Sequence, residues 1–186
     1  MRQVVTCRGC GASAPNLAAL PADVREMLET PEYRALTGAA LELPFLRWAM
    51  LAEAGSDRAA AASAVLEAAW AVDDAGGDAR ALRARAAALW GEPATIQDAL
   101  RLVDVERRAG AFDRAGAAAA ALLARTDLNE TDAALLRFQQ GLIADGDAGR
   151  HLLSSALRPP VRTPHVTHGR QRPAPSRSVW QRLTGR

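Results

Sequence analysis

The chain has 186 residues, enough for one domain with appendages; alanine makes up nearly a quarter of it, and all 23 basic residues are arginine. The net charge of +2 conceals an asymmetry, because residues 158–186 hold seven arginines and no acid while the remainder holds sixteen arginines against 21 acids. That balance excludes a nucleic-acid footprint over the whole surface, and no apolar run reaches the length of a membrane span, so the expectation is a cytoplasmic protein without a secretory signal.

The first twenty residues open with Thr6-Cys7-Arg8-Gly9-Cys10-Gly11. Cys7 and Cys10 have the spacing of a zinc knuckle, in which a tight turn aims two thiolates at one ion. Two thiolates are half of a tetrahedral shell, so His151, His165 and His168 are the candidate further ligands, together with an acid or a second subunit. A homodimer sharing the ion is one way to complete the set. A knuckle that has lost its metal and a redox dithiol are the alternatives, although no βαβ pattern surrounds the pair.

Helical patterning begins at about Ala22, with Pro21 suited to a first turn, and resumes at Thr30-Pro31-Glu32. Leu43 to Ala54 reads as a helix entered through Pro44 and stopped by Gly55, with Phe45, Trp48, Ala49 and Ala52 inward. Ser56 or Asp57 caps the next helix, whose Ala62, Val65, Leu66, Ala69, Trp70 and Asp73 positions repeat at helical spacing. Asp73, Asp74 and Asp78 flank Gly76-Gly77; they lack the alternation of a calcium loop and read as capping or solvated carboxylates. Leu82, Ala86, Leu89 and Trp90 follow at helical spacing.

Thr95 to Arg108 presents Ile96, Leu100, Val103 and the aliphatic stem of Arg107 on one face, and Phe112, Ala115, Ala119 and Leu122 do the same after the turn at Ala109-Gly110-Ala111. A turn that short makes the two helices an antiparallel hairpin. Gly116 weakens the second helix and suggests a close crossing against a neighbour. Asn129 caps a helix carrying Leu135, Phe138, Gln139, Leu142 and Ile143, and a last short helix begins near Asp147. His151 reads chiefly as a packed or solvated residue.

Asp78, Asp113 and Asp147 stand at equivalent points of three such turns, 35 and then 34 residues apart. That period predicts an all-α fold of antiparallel hairpins stacked as a short right-handed solenoid or bundle of about seven to eight helices. Trp48, Trp70, Trp90, Phe112 and Phe138 are its expected core anchors, because an alanine-rich interior has few other large side chains. The expected organisation is a knuckle-like segment at 1–20, a helical domain at 21–157 and a basic tail at 158–186. In the tail Val179, Trp180 and Leu183 could make one turn that binds a partner, and the arginines could contact nucleic acid.

Ala109-Gly110-Ala111-Phe112-Asp113-Arg114-Ala115 resembles the hairpin consensus of tetratricopeptide-like repeats. With Ala68-Ala69-Trp70, Ala75-Gly76-Gly77-Asp78, the segment Phe138 to Asp147 and the Cys7–Cys10 pair, the chain resembles poorly characterised bacterial proteins joining a cysteine knuckle to such a region. The resemblance implies a zinc-binding terminus and a protein-interaction scaffold with no catalytic residues to carry across. The leading expectation is therefore a non-enzymatic scaffold for a protein partner. A zinc-dependent regulatory module contacting nucleic acid through its tail, and an enzyme with a site assembled from distant residues, are the alternatives; no phosphate loop, nucleophile elbow or HExxH arrangement is present.

Overall fold

The computed structural model describes residues 3–20 and 24–157. Two two-residue strands, β1 (Val5–Thr6) and β2 (Ser13–Ala14), pair antiparallel at the start. Nine α-helices follow among the described residues: α1 (Val24–Leu28), α2 (Pro31–Ala35), α3 (Leu43–Ala54), α4 (Arg58–Asp74), α5 (Arg80–Trp90), α6 (Ile96–Arg108), α7 (Phe112–Leu123), α8 (Glu130–Ala144) and α9 (Leu153–Leu157). The fold is all-α with helices stacked as hairpins, and the last short helix starts at Leu153 rather than near Asp147.

Local chemistry sets the helix ends. Asp57, Thr95 and Asn129 each accept a backbone N–H of the first turn of α4, α6 and α8. Thr95 also donates its hydroxyl to Asp98 at 2.8 Å, and the Asn129 amide donates to Asp132 at 2.8 Å, so each capping side chain bonds the same first-turn residue twice. The stops are repeated more strictly. After α6, the N–H of Ala111 reaches the carbonyl of Glu106 and that of Gly110 reaches Arg107, the paired bonds of a Schellman stop with Gly110 at φ +81°. The same two bonds recur at Gly76 after α4 and at Gly146 after α8, with φ of +76° and +64°. They recur a fourth time after α3, where the residue in the left-handed region is Ser56 at φ +59°.

The helix α4 is the most enclosed element, with Ala61, Ala62, Ala64, Val65, Leu66, Glu67, Ala68, Ala69 and Ala71 all buried. Small side chains let α3 and α5 close on it from either side, and Trp48, Ala49, Ala86 and Val105 complete that core. A second core joins Ala99 and Val103 of α6, Ala119 and Leu122 of α7 and Leu136 of α8. Ala14 belongs to the first core, and Ala12 packs with Tyr33 and Leu51, so the N-terminal strands share the interior of the helices.

The expected aromatic anchors divide. Trp48 is 6% exposed, whereas Trp90, Phe112 and Phe138 are half-buried. Trp70 is 37% exposed, which corrects its assignment to the core. Trp48 is accommodated within the alanine-lined core around α3 and α4, whereas Trp70 lies on the part of α4 that no neighbour covers and borders a surface recess. The largest fully buried side chain is instead Arg107. Gly116 is not required by a close crossing either, since a Cβ there would lie 3.6 Å from Ile143 Cγ2, an ordinary contact.

Candidate functional site: a charged face across the hairpin ends

Two charged clasps tie the hairpins together. In the first, the carboxylate of Asp73, at the end of α4, takes the guanidinium of Arg83 from α5 and, at 2.6 Å, that of Arg108 from the end of α6. Arg83 is 4% exposed, and burial is the main cause that lowers its pKa, with the Asp73 hydrogen bond opposing it. In the second, Arg107 donates from Nε to Gln139 Oε1 at 2.6 Å and from one terminal nitrogen to the carbonyls of Asp147 and Gly149 at 2.5 and 3.0 Å. Its other terminal nitrogen meets Asp104 at 2.8 Å, and the Gln139 amide donates to the same carboxylate at 3.1 Å. The Schellman stop of α6 places Arg107 one residue inside the helix end, facing α8 and the turn that follows it.

Three recesses open beside these clasps, and two of them carry aromatic rings. One, of about 260 Å³, is lined by Trp70, Asp73, Asp74, Arg108 and Arg150. The other, of about 350 Å³, lies between α6 and α8, where Leu100, Arg101 and Asp104 face Leu135, Phe138 and His151. Arg150 lines the first and pairs with Asp74 at 3.4 Å; its neighbour His151 lines the second, edge-on to Phe138 with centroids 5.9 Å apart. His151 also meets Asp147 at 2.8 Å, and the Asp147 carboxyl is held below the usual carboxylate range by the Gly149 N–H first and by His151 next. Arg101 lies over the Trp90 ring at 5.5 Å, which holds its guanidinium at the edge of the second recess. Arginine donors and carboxylate acceptors here frame partly exposed aromatic rings, a set of groups suited to hydrogen bonding and stacking.

The cysteine pair is elsewhere. The turn Arg8–Cys10 is closed by the bond from the Gly11 N–H to the Cys7 carbonyl at 2.9 Å, and Tyr33 donates its hydroxyl to the Gly11 carbonyl at 3.0 Å, tying the turn to α2. The N–H groups of Cys10 and Gly9 and then the Cys10 thiol bond to the Cys7 sulfur, and they lower its pKa. Both thiols are free and line a recess of about 710 Å³ with Tyr33, Leu28 and Arg47.

No group of three or more His, Cys, Asp or Glu able to hold a metal ion exists among the described residues, which corrects the expected zinc. Cys7 and Cys10 have only each other, and His151 is engaged by Asp147 and Phe138 at the far hairpin. His165 and His168, like Val179, Trp180 and Leu183, lie outside the described residues. Arg107 and Gln139 were legible only as members of inward stripes, and the signal for their pairing is that both are polar at inward positions of successive hairpins. No helix among the described residues is long and apolar enough to cross a membrane. No protein-family model, curated protein or solved structure matches the chain, so the hairpin stacking rests on the structure itself and the likeness to knuckle-bearing bacterial proteins has no support from comparison.

Proposed function

We propose that the chain is a non-enzymatic, cytoplasmic helical scaffold that docks a segment of a protein partner on the face carrying the two recesses. The observation that carries this reading is Trp70: its indole stands 37% exposed among Asp73, Asp74, Arg108 and Arg150, all anchored by ion pairs. Partly exposed tryptophan beside fixed arginine is the composition of an interface hot spot. Among the described residues lining the recesses no nucleophile stands beside a base, and Asp73 and Asp74 are held in ion pairs by Arg108 and Arg150, which favours recognition over chemistry.

The test places a photo-crosslinking residue at Trp70, at Arg101, and at Arg114, which is exposed on α7. Positions 70 and 101 are expected to yield the same crosslinked protein from native lysate, with position 114 yielding none. Equal capture from position 114 would refute a docking face defined by the recesses. Trp70→Ala should weaken capture by the chain itself about 30-fold, the range of a hot-spot truncation near 2 kcal/mol.

A further inference from the structure

We propose that Cys7 and Cys10 are a thiol–disulfide exchange site that closes to an intramolecular disulfide at the expense of a small-molecule disulfide of the glutathione class. Three observations carry it. The two cysteines bracket one tight turn, closed by the Gly11 N–H bond to the Cys7 carbonyl at 2.9 Å, and both border the same recess, so the pair is already gathered at one place on the surface. Cys10 is exposed and Cys7 half-buried, which divides the roles of first and second sulfur. Both border the recess of about 710 Å³, which has room for a tripeptide thiol beside the turn. The turn itself is held from outside by Tyr33 and by the Cys7 N–H bond to the Ala12 carbonyl at 2.8 Å, so the pair stays in register while its chemistry changes.

The steps balance as follows. The exposed Cys10 sulfur, having given its proton to solvent, attacks one sulfur of oxidised glutathione; a Cys10–glutathione bond forms, the glutathione disulfide bond breaks, and one glutathione thiolate leaves and takes up a proton. The Cys7 sulfur, stripped of its own proton and steadied by the N–H groups of Gly9 and Cys10, then attacks the Cys10 sulfur and expels the second glutathione. The protein loses two electrons and two protons, and one glutathione disulfide becomes two thiols.

The experiment uses the full chain in mixtures of reduced and oxidised glutathione, quenched in acid, alkylated under denaturing conditions and weighed intact. The expected result is loss of both alkylation sites together in a single chain lighter by two hydrogen atoms, reversed by dithiothreitol. Removing the second sulfur in Cys7→Ser should trap the glutathione adduct on Cys10 at a level about tenfold or more above wild type, because the adduct then has no internal route out. Two alkylated cysteines persisting in excess oxidised glutathione would overturn the proposal. So would a wild-type adduct as abundant as that of Cys7→Ser, or oxidation that joins two chains. Because the readout is chemical and made after unfolding, a variant with weakened folding still reports.

Discussion

Replacing Arg107 is the sharpest test of the hairpin junctions. The side chain is 1% exposed and makes four hydrogen bonds to three segments: α6, α8 and the turn at 147–149. Arg107→Ala removes all of them, and breaking a buried, hydrogen-bonded charge by truncation costs about 3–5 kcal/mol. The partners do not share that loss equally. Asp104 has a side chain 39% exposed and Gly149 is exposed, so water can satisfy both, whereas Gln139 is 9% exposed and loses its acceptor's partner outright. Allowing about 1–3 kcal/mol for that one buried polar group, and a smaller part for the rest, gives a destabilisation of about 3 kcal/mol. Urea unfolding followed by circular dichroism measures it directly. Arg107→Lys should recover less than half, since one ammonium cannot reach the three directions that the planar fork serves. A double-mutant cycle with Gln139→Ala should show a coupling of about 1.5 kcal/mol. A loss below about 1 kcal/mol in Arg107→Ala, no larger than that of a surface arginine such as Arg137, would show that the junction is held by apolar packing alone.

Other consequences follow from the backbone and the charges. Ser56 occupies the left-handed position that glycine fills in the three other stops, so Ser56→Gly should stabilise by about 0.5–1 kcal/mol: relief of strain of about 1–2 kcal/mol exceeds the added unfolded-state entropy. Gly110→Ala should cost about 1 kcal/mol by the reverse argument; both are read from urea midpoints. Gly116→Ala should stabilise α7 by about 0.5–1 kcal/mol, because the methyl meets Ile143 at normal contact distance; a loss would mean that α7 and α8 approach more closely than described. Asp147 has a folded pKa below its unfolded value, so its contribution is complete above the ordinary carboxylate pKa and disappears as pH falls through the lower folded value. Amide exchange at Gly149 should accelerate across that acid window in wild type, and Asp147→Asn should flatten the dependence.

The register of the hairpins was readable because three of the four stops use glycine, with an aspartate one to three residues after it. The fourth was not, since Ser56 carries no such mark and its conformation is imposed by the bonds from Ser56 and Asp57 back to α3. Trp70 was assigned inward because periodicity discriminates poorly on α4: a helix enclosed on most of its circumference has no single apolar stripe, and the outward position falls to whichever residue is too large for its neighbours. Arg107 could be placed on the inward face from spacing, but what its guanidinium grips depends on a turn forty residues away. The cysteine spacing was equally plain, and the missing partners could emerge only from the fold, which sends His151 to the opposite hairpin.

The two clasps bear on the shape of the stack. Contacts between alanine faces are nearly isotropic, and two such faces can slide or rotate by a fraction of a turn with little change in buried area. Hydrogen bonds from a planar guanidinium are directional and weaken steeply once bent. Asp73 binds Arg83 and Arg108, Arg107 joins α6 to α8 and its turn, and Gln97 of α6 donates to Asp132 of α8, so each junction between successive hairpins carries directional bonds. The orientation of successive hairpins therefore depends on guanidinium geometry as well as on alanine packing, and the recesses beside the clasps inherit that orientation.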